Sequence, residues 1–166
     1  MNEQYVFPEK NKLVKYLYSK LDNPTQIKVQ KTLYLLYAFY GATYGRLASN
    51  TEETEFEDQN YPKELFPAKF EAWRYGPVEA DVYRDEKSGC FDTPDEDFTI
   101  AKNSAEMNNV IEFSDNIISQ TNNIDDFSLV DRTHQDFAWK DKYEPGISHI
   151  SMENEEIVDE YVKRYI

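Results

Sequence analysis

The segment from Thr25 to Tyr44 (TQIKVQKTLYLLYAFYGATY) constrains the fold more than any other part of the chain. Val29, Leu33, Leu36, Tyr37, Tyr40 and Tyr44 recur every three or four residues, the spacing of one helix face. Tyr34, Leu35 and Phe39 fill the other faces, so this helix cannot lie on a surface with one side in water. It is expected to be enclosed on most sides, with the rest of the chain arranged around it. Thr25 stands where an N-cap belongs, and Gly45 marks the end.

The flanking sequence supplies further helices. After Pro8, the residues Leu13, Val14, Tyr16, Leu17 and Leu21 share a face, and Asp22-Asn23-Pro24 stops the run. Asn103 and Glu106 form a capping-box pattern ahead of Met107, Val110, Ile111, Ile117 and Ile118. Asp125 or Asp126 caps a short helix with Leu129, Val130 and Thr133. Ser151 is expected to cap a last helix bearing Ile157, Val158, Tyr161, Val162 and Tyr165, whose acidic start and basic end (Lys163, Arg164) suit the helix dipole. Residues 49–64 and 85–99 read as exposed acidic loops. Between them, Leu65-Phe66-Pro67 and Phe70-Glu71-Ala72-Trp73 suit extended segments, and Pro77 suits the first turn of a helix carrying Val78, Val82 and Tyr83. The expected fold is mainly α: a single compact helical domain over residues 1–166 with at most a short β-hairpin around residues 64–74.

Charge narrows the partners. The 32 acidic and 18 basic side chains leave a formal net charge of −14. Residues 1–48 hold seven basic and three acidic groups, residues 49–97 five and fifteen, and residues 98–166 six and fourteen. Direct nucleic-acid binding is not expected, because neutralising phosphates requires clustered Lys and Arg. The imbalance reads either as a basic N-terminal layer complemented internally by acidic segments, or as an acidic face that imitates a polyanion or steers a basic partner. No apolar run approaches the roughly 20 residues that cross a bilayer, so no membrane association is expected. The first residues lack an apolar leader core, and the lone Cys90 has no internal disulfide partner, which together suggest a cytoplasmic protein.

Catalytic signatures are sparse. With two histidines and one cysteine, zinc-type spacings are missing, as are a Walker loop, G-x-G-x-x-G and G-x-S-x-G. No metal, no cofactor and no catalytic residue is expected, and the chain reads as a non-enzyme. Cys90 lies among carboxylates that disfavour its thiolate. His134, in Asp131-Arg132-Thr133-His134-Gln135-Asp136, could be oriented by a carboxylate, but a ring satisfied at a helix end explains it as well.

One constellation is more specific. Lys28-Val29-Gln30-Lys31-Thr32-Leu33-Tyr34-Leu35-Leu36-Tyr37, then Leu65-Phe66, then Phe70-Glu71-Ala72-Trp73-Arg74-Tyr75-Gly76-Pro77-Val78, then Val82-Tyr83, resembles the Panacea domain of SocA-like antitoxins and phage-associated proteins. The motif-bearing part spans residues 26–86. A looser likeness covers residues 127–165, through Leu129 to Trp139 and the closing helix, with Ala138 where the family carries Pro. The resemblance implies a protein-binding antitoxin-like module that neutralises a toxin by direct contact. The alternative is a phage-encoded inhibitor of a host defence enzyme, acting through an acidic surface that mimics nucleic acid. The expected framework of the motif is Gln30, Lys31, Tyr34, Trp73, Gly76, Pro77, Val78, Tyr83 and Trp139, with Trp73 packed on the second helix and Tyr75 turned the opposite way by the sharp change of direction at Gly76-Pro77. The expected partner-binding residues are Arg74, Tyr75, Tyr37, Tyr40, Tyr44 and His134, because tyrosine joins apolar area to a hydroxyl handle.

Overall fold

The computed structural model describes residues 4–49, 61–93, 98–147 and 149–166. Most of the first expected acidic loop, and residues 94–97 of the second, therefore lie outside the described residues. The chain runs through α1 (Lys10–Lys20), α2 (Gln26–Thr43), a 3-10 turn (Gly45–Ser49), β1 (Phe70–Trp73), β2 (Gly76–Glu79), α3 (Ala80–Lys87) and α4 (Ala105–Asn122). It continues through α5 (Asp126–Thr133), a single turn α6 (Phe137–Lys140), β3 (Ile150–Ser151) and α7 (Asn154–Tyr165). The architecture is mainly α with one small antiparallel sheet in the order β2-β1-β3.

The apolar faces of α2 dictate the arrangement: α1, α4, α5, α7 and β2 all pack on it, and Val29, Leu33, Tyr34, Leu36, Ala38 and Tyr40 are removed from water entirely. Thr25 caps it by accepting the Lys28 N–H at 3.1 Å. α7 crosses close by, because a Cβ at Gly41 would lie 2.5 Å from Val158 Cγ2. Rings from several elements meet around its middle, among them Tyr34 with Phe70 and Tyr161, and Tyr37 with Phe66 and Phe70. Among the described residues, no helix is long and apolar enough to cross a membrane.

Four local expectations are corrected. The hairpin lies at residues 70–79 rather than 64–74 and gains a third strand, β3. Leu65 instead continues an irregular segment held by the N-terminus, with Phe7 N–H donating to its carbonyl at 2.8 Å. Pro77 belongs to β2, paired with Ala72, and α3 starts only at Ala80, capped by the Glu79 carboxylate. Proline is tolerated there because that backbone position faces away from β1 and owes the sheet no N–H. The cap of α4 is Ser104, which accepts the Met107 N–H at 3.0 Å, rather than Asn103. Ser151 does not cap α7. It pairs with Glu71 in β3, and the neighbouring Met152 N–H donates to Phe70 O at 2.9 Å, so the sheet captures this segment and α7 begins after Glu153.

Candidate functional site

The alternation of β1 fixes what the hairpin buries. Phe70 and Ala72 point into the core, while Glu71 and Trp73 are half-buried on the other face. The expectation that Trp73 anchors to α2 is thereby corrected: its ring lies edge-on to Tyr83 at 4.7 Å and to His149 at 5.5 Å, and its Nε1–H donates to Glu71 at 2.8 Å. The phase of the strand is set by Phe70, whose ring fills the space beside Tyr34 and Tyr37.

Arg74 and Tyr75 form the turn, and Gly76 closes it with φ +102°. A Cβ at Gly76 would meet Thr133 Oγ1 at 2.5 Å and Lys31 Cε at 3.2 Å, so both conformation and space call for glycine.

Among the described residues the outer edge of β2 has no neighbouring strand, and α2 supplies a substitute. Gln30 Oε1 accepts the Glu79 N–H at 2.7 Å, and Gln30 Nε2 approaches Glu79 O at 3.4 Å. Lys31 Nζ donates to Pro77 O at 2.9 Å. The carboxylates beside them are matched too. Glu86 accepts from Gln30 Nε2 at 3.0 Å and from the Tyr18 hydroxyl at 2.6 Å. Glu79 accepts the N–H groups of Lys69, Asp81 and Val82 and the Lys10 ammonium. Burial pushes the Lys31 amine down to about 7, against the pull of Glu86, and pushes the Glu86 carboxyl up.

A second set of side chains holds the other side of the turn. Trp139 Nε1–H donates to Trp73 O at 2.7 Å, and His134 Nε2 lies 3.0 Å from Arg74 O. The His134 ring stacks on Trp139 at 4.0 Å, and Trp139 on Tyr143 at 4.8 Å. Burial lowers the His134 pKa, which favours a neutral ring with Nε2–H as the donor. Asp136 does not orient this imidazole. Its buried carboxylate accepts from Tyr34 at 2.7 Å, Tyr161 at 2.6 Å and Arg132 at 3.0 Å, tying the α5–α6 connection to α2 and α7. Burial raises both tyrosine hydroxyls well above their ordinary pKa.

What emerges from this framework is an aromatic tip. Tyr75 is 47% exposed and Phe127, in the first turn of α5, is 61% exposed. Their rings meet edge-on at 6.1 Å, and the Arg74 guanidinium lies 5.4 Å from the Tyr75 ring. Of the expected partner-binding residues, only Arg74 and Tyr75 are presented here, with His134 supporting them from behind. Tyr37 and Tyr40 are corrected to core residues: both are buried, with hydroxyls donating to Glu64 and to Pro62 O. Tyr44 is half-buried against Tyr61 and Phe113, thirteen residues beyond Lys31 and so roughly 20 Å along the helix. The motif framework does converge: Gln30, Lys31, Gly76, Pro77 and Val78 are buried around one strand, Tyr34 and Trp139 behind it, and Tyr83 against Trp73.

Phe127 escaped the sequence reading because it sits off the buried stripe of Leu129, Val130 and Thr133. A large aromatic off the apolar stripe of an amphipathic helix was itself the available signal. Glu79 carried no signal, since its role depends on the turn into α3. Among the described residues, no group of three or more His, Cys, Asp or Glu side chains could hold a metal ion. The chain matches no family model, no curated protein and no solved structure.

Proposed function

We propose that the chain is a non-enzymatic protein-binding module of the antitoxin kind, acting in the cytoplasm, which neutralises a toxic protein by direct contact through the hairpin tip. The observation that carries this reading is the presentation of Tyr75: an exposed ring on a turn whose flanking carbonyls are held by Trp139, His134 and Lys31. A contact residue fixed before binding loses little conformational freedom on association, and tyrosine is among the side chains that dominate protein interfaces. The likeness of the motif to Panacea domains supports the same reading, because the string Phe70 to Val78 that carries it builds the turn.

The test is titration of the purified chain against the product of the adjacent open reading frame, with growth rescue as the cellular readout. Neutralisation is expected to end near one equivalent and to be lost in Tyr75→Ala. Turnover at substoichiometric amounts, abolished by His134→Ala, would overturn the binding reading. A partner that itself binds DNA and is displaced from it in a Tyr75-independent manner would favour the polyanion mimic.

A further inference from the structure

The tip has a chemistry that restricts its partner. α5 turns Leu129, Val130 and Thr133 inward, while Phe127 and Asp131, four residues apart on its outer surface, are exposed, as is Ile124 just before the Asp125 cap. Tyr75 and Phe127 make an exposed apolar pair, and the exposed carboxylates of Asp125 and Asp131 flank Phe127 in the chain. Among the described residues, neither carboxylate belongs to an ion pair. The Ser128 hydroxyl at 2.7 Å and its N–H at 3.1 Å hold the Asp125 carboxyl below its usual range. Arg74 faces the Tyr75 ring. A second copy of a chain with net charge −14 would approach against repulsion.

Resting on the reading of the tip as a protein-binding site, we infer that its partner is a basic segment. Such a segment lays an aliphatic or aromatic side chain against Tyr75 and Phe127 and brings Lys or Arg to Asp125 and Asp131. The apolar pair supplies the anchor, and the carboxylates set register and speed encounter. A cation can also settle over the open face of Phe127.

The full chain is titrated, by amide chemical shifts and calorimetry, with three synthetic peptides: an amphipathic helical peptide of Lys and Leu, its Glu-for-Lys counterpart, and a Lys–Ser peptide without apolar side chains. The Lys–Leu peptide is expected to shift the amides of Tyr75, Phe127 and Asp131 and to bind at least about tenfold tighter than the other two, a difference of ~1.4 kcal/mol. Phe127→Ala, and the double variant Asp125→Asn with Asp131→Asn, should each weaken it by about tenfold. Asparagine keeps the α5 cap, and Phe127 is exposed, so both variants should fold. Equal binding by the Lys–Ser or Glu–Leu peptide, or shifts centred elsewhere, would overturn the inference. If the inference fails while Tyr75→Ala still abolishes neutralisation, only the basic character of the partner is wrong. If Tyr75→Ala and Phe127→Ala both keep neutralisation, the tip reading falls with it.

Discussion

Pro77 and Glu79 lie two to four residues from Tyr75, and the two stretches treat backbone and side chain in opposite ways. At Pro77 and Glu79 the backbone groups facing α2 are met by Gln30 and Lys31 and everything is buried. At the turn, the carbonyls of Trp73 and Arg74 are met just as directly, by Trp139 and His134, yet the side chains of Arg74 and Tyr75 stand in water. The difference teaches that rigidity and exposure are set independently. The backbone is fixed along the whole hairpin, and only at the tip is that order used to present rings rather than to fill a core.

The comparison breaks most visibly at Gln30. Gln30→Leu keeps the volume but leaves the Glu79 N–H and one Glu86 oxygen without partners, so a loss of about 4 kcal/mol in chemical denaturation is expected. A loss below ~1 kcal/mol would mean that the edge of β2 does not depend on this amide.

Lys31 sharpens the same contrast through pH. Its amine titrates near 7 in the folded protein, against an ordinary value of 10.5. Below about 7 both states carry the proton and the group adds no slope. Between 7 and 10.5 the unfolded chain holds more proton, so stability rises with pH, by at most ~1.4 kcal/mol per unit. Lys31→Met should flatten that rise between pH 7 and 10. Identical slopes for the two proteins would show that the amine stays charged in the fold.

Smaller effects are expected on the outer face and at the tip. Trp73 is half-buried and packs on Tyr83 rather than α2, so Trp73→Ala should cost roughly 1–2 kcal/mol instead of the 3–5 typical of a buried tryptophan. Thermal unfolding would separate these values. Tyr75→Ala should change stability by less than ~0.5 kcal/mol while weakening the protein partner at least about tenfold, measured by calorimetry on the pair.

Much of this fold could be read from spacing alone. Apolar residues on every face of α2 announced a central helix, and Thr25 and Asp125 cap where short polar side chains precede a periodic run. The errors fall where tertiary partners decide. Spacing cannot say whether a tyrosine hydroxyl finds a buried acceptor, so Tyr37 and Tyr40, satisfied by Glu64 and Pro62, passed for surface residues. Pro77 is equally compatible with a helix start and with a strand position whose N–H is unneeded, and only its pairing with Ala72 of β1 distinguishes them. The phase of β1 turned on whether Phe70 or Trp73 fills the space beside Tyr34, which two aromatics three residues apart leave open. At the candidate site, Arg74 and Tyr75 were legible from the turn chemistry around Gly76. Phe127 was legible only as a large aromatic off the buried stripe of α5; that it meets Tyr75 was not, since the two lie fifty-two positions apart in the chain.

The way Gln30 and Lys31 meet β2 has a consequence for solubility. A strand with open N–H and C=O groups along one side is a template on which another chain can build, and two such proteins can zip together into aggregates. Here Pro77 offers no donor, its carbonyl is taken by Lys31, and the Glu79 N–H is taken by Gln30, so an incoming strand finds nothing to pair with on that side. On the opposite border, β3 ends after two residues, too short a rail for sheet growth. Both borders of the sheet are thus closed to pairing with a second copy of the chain.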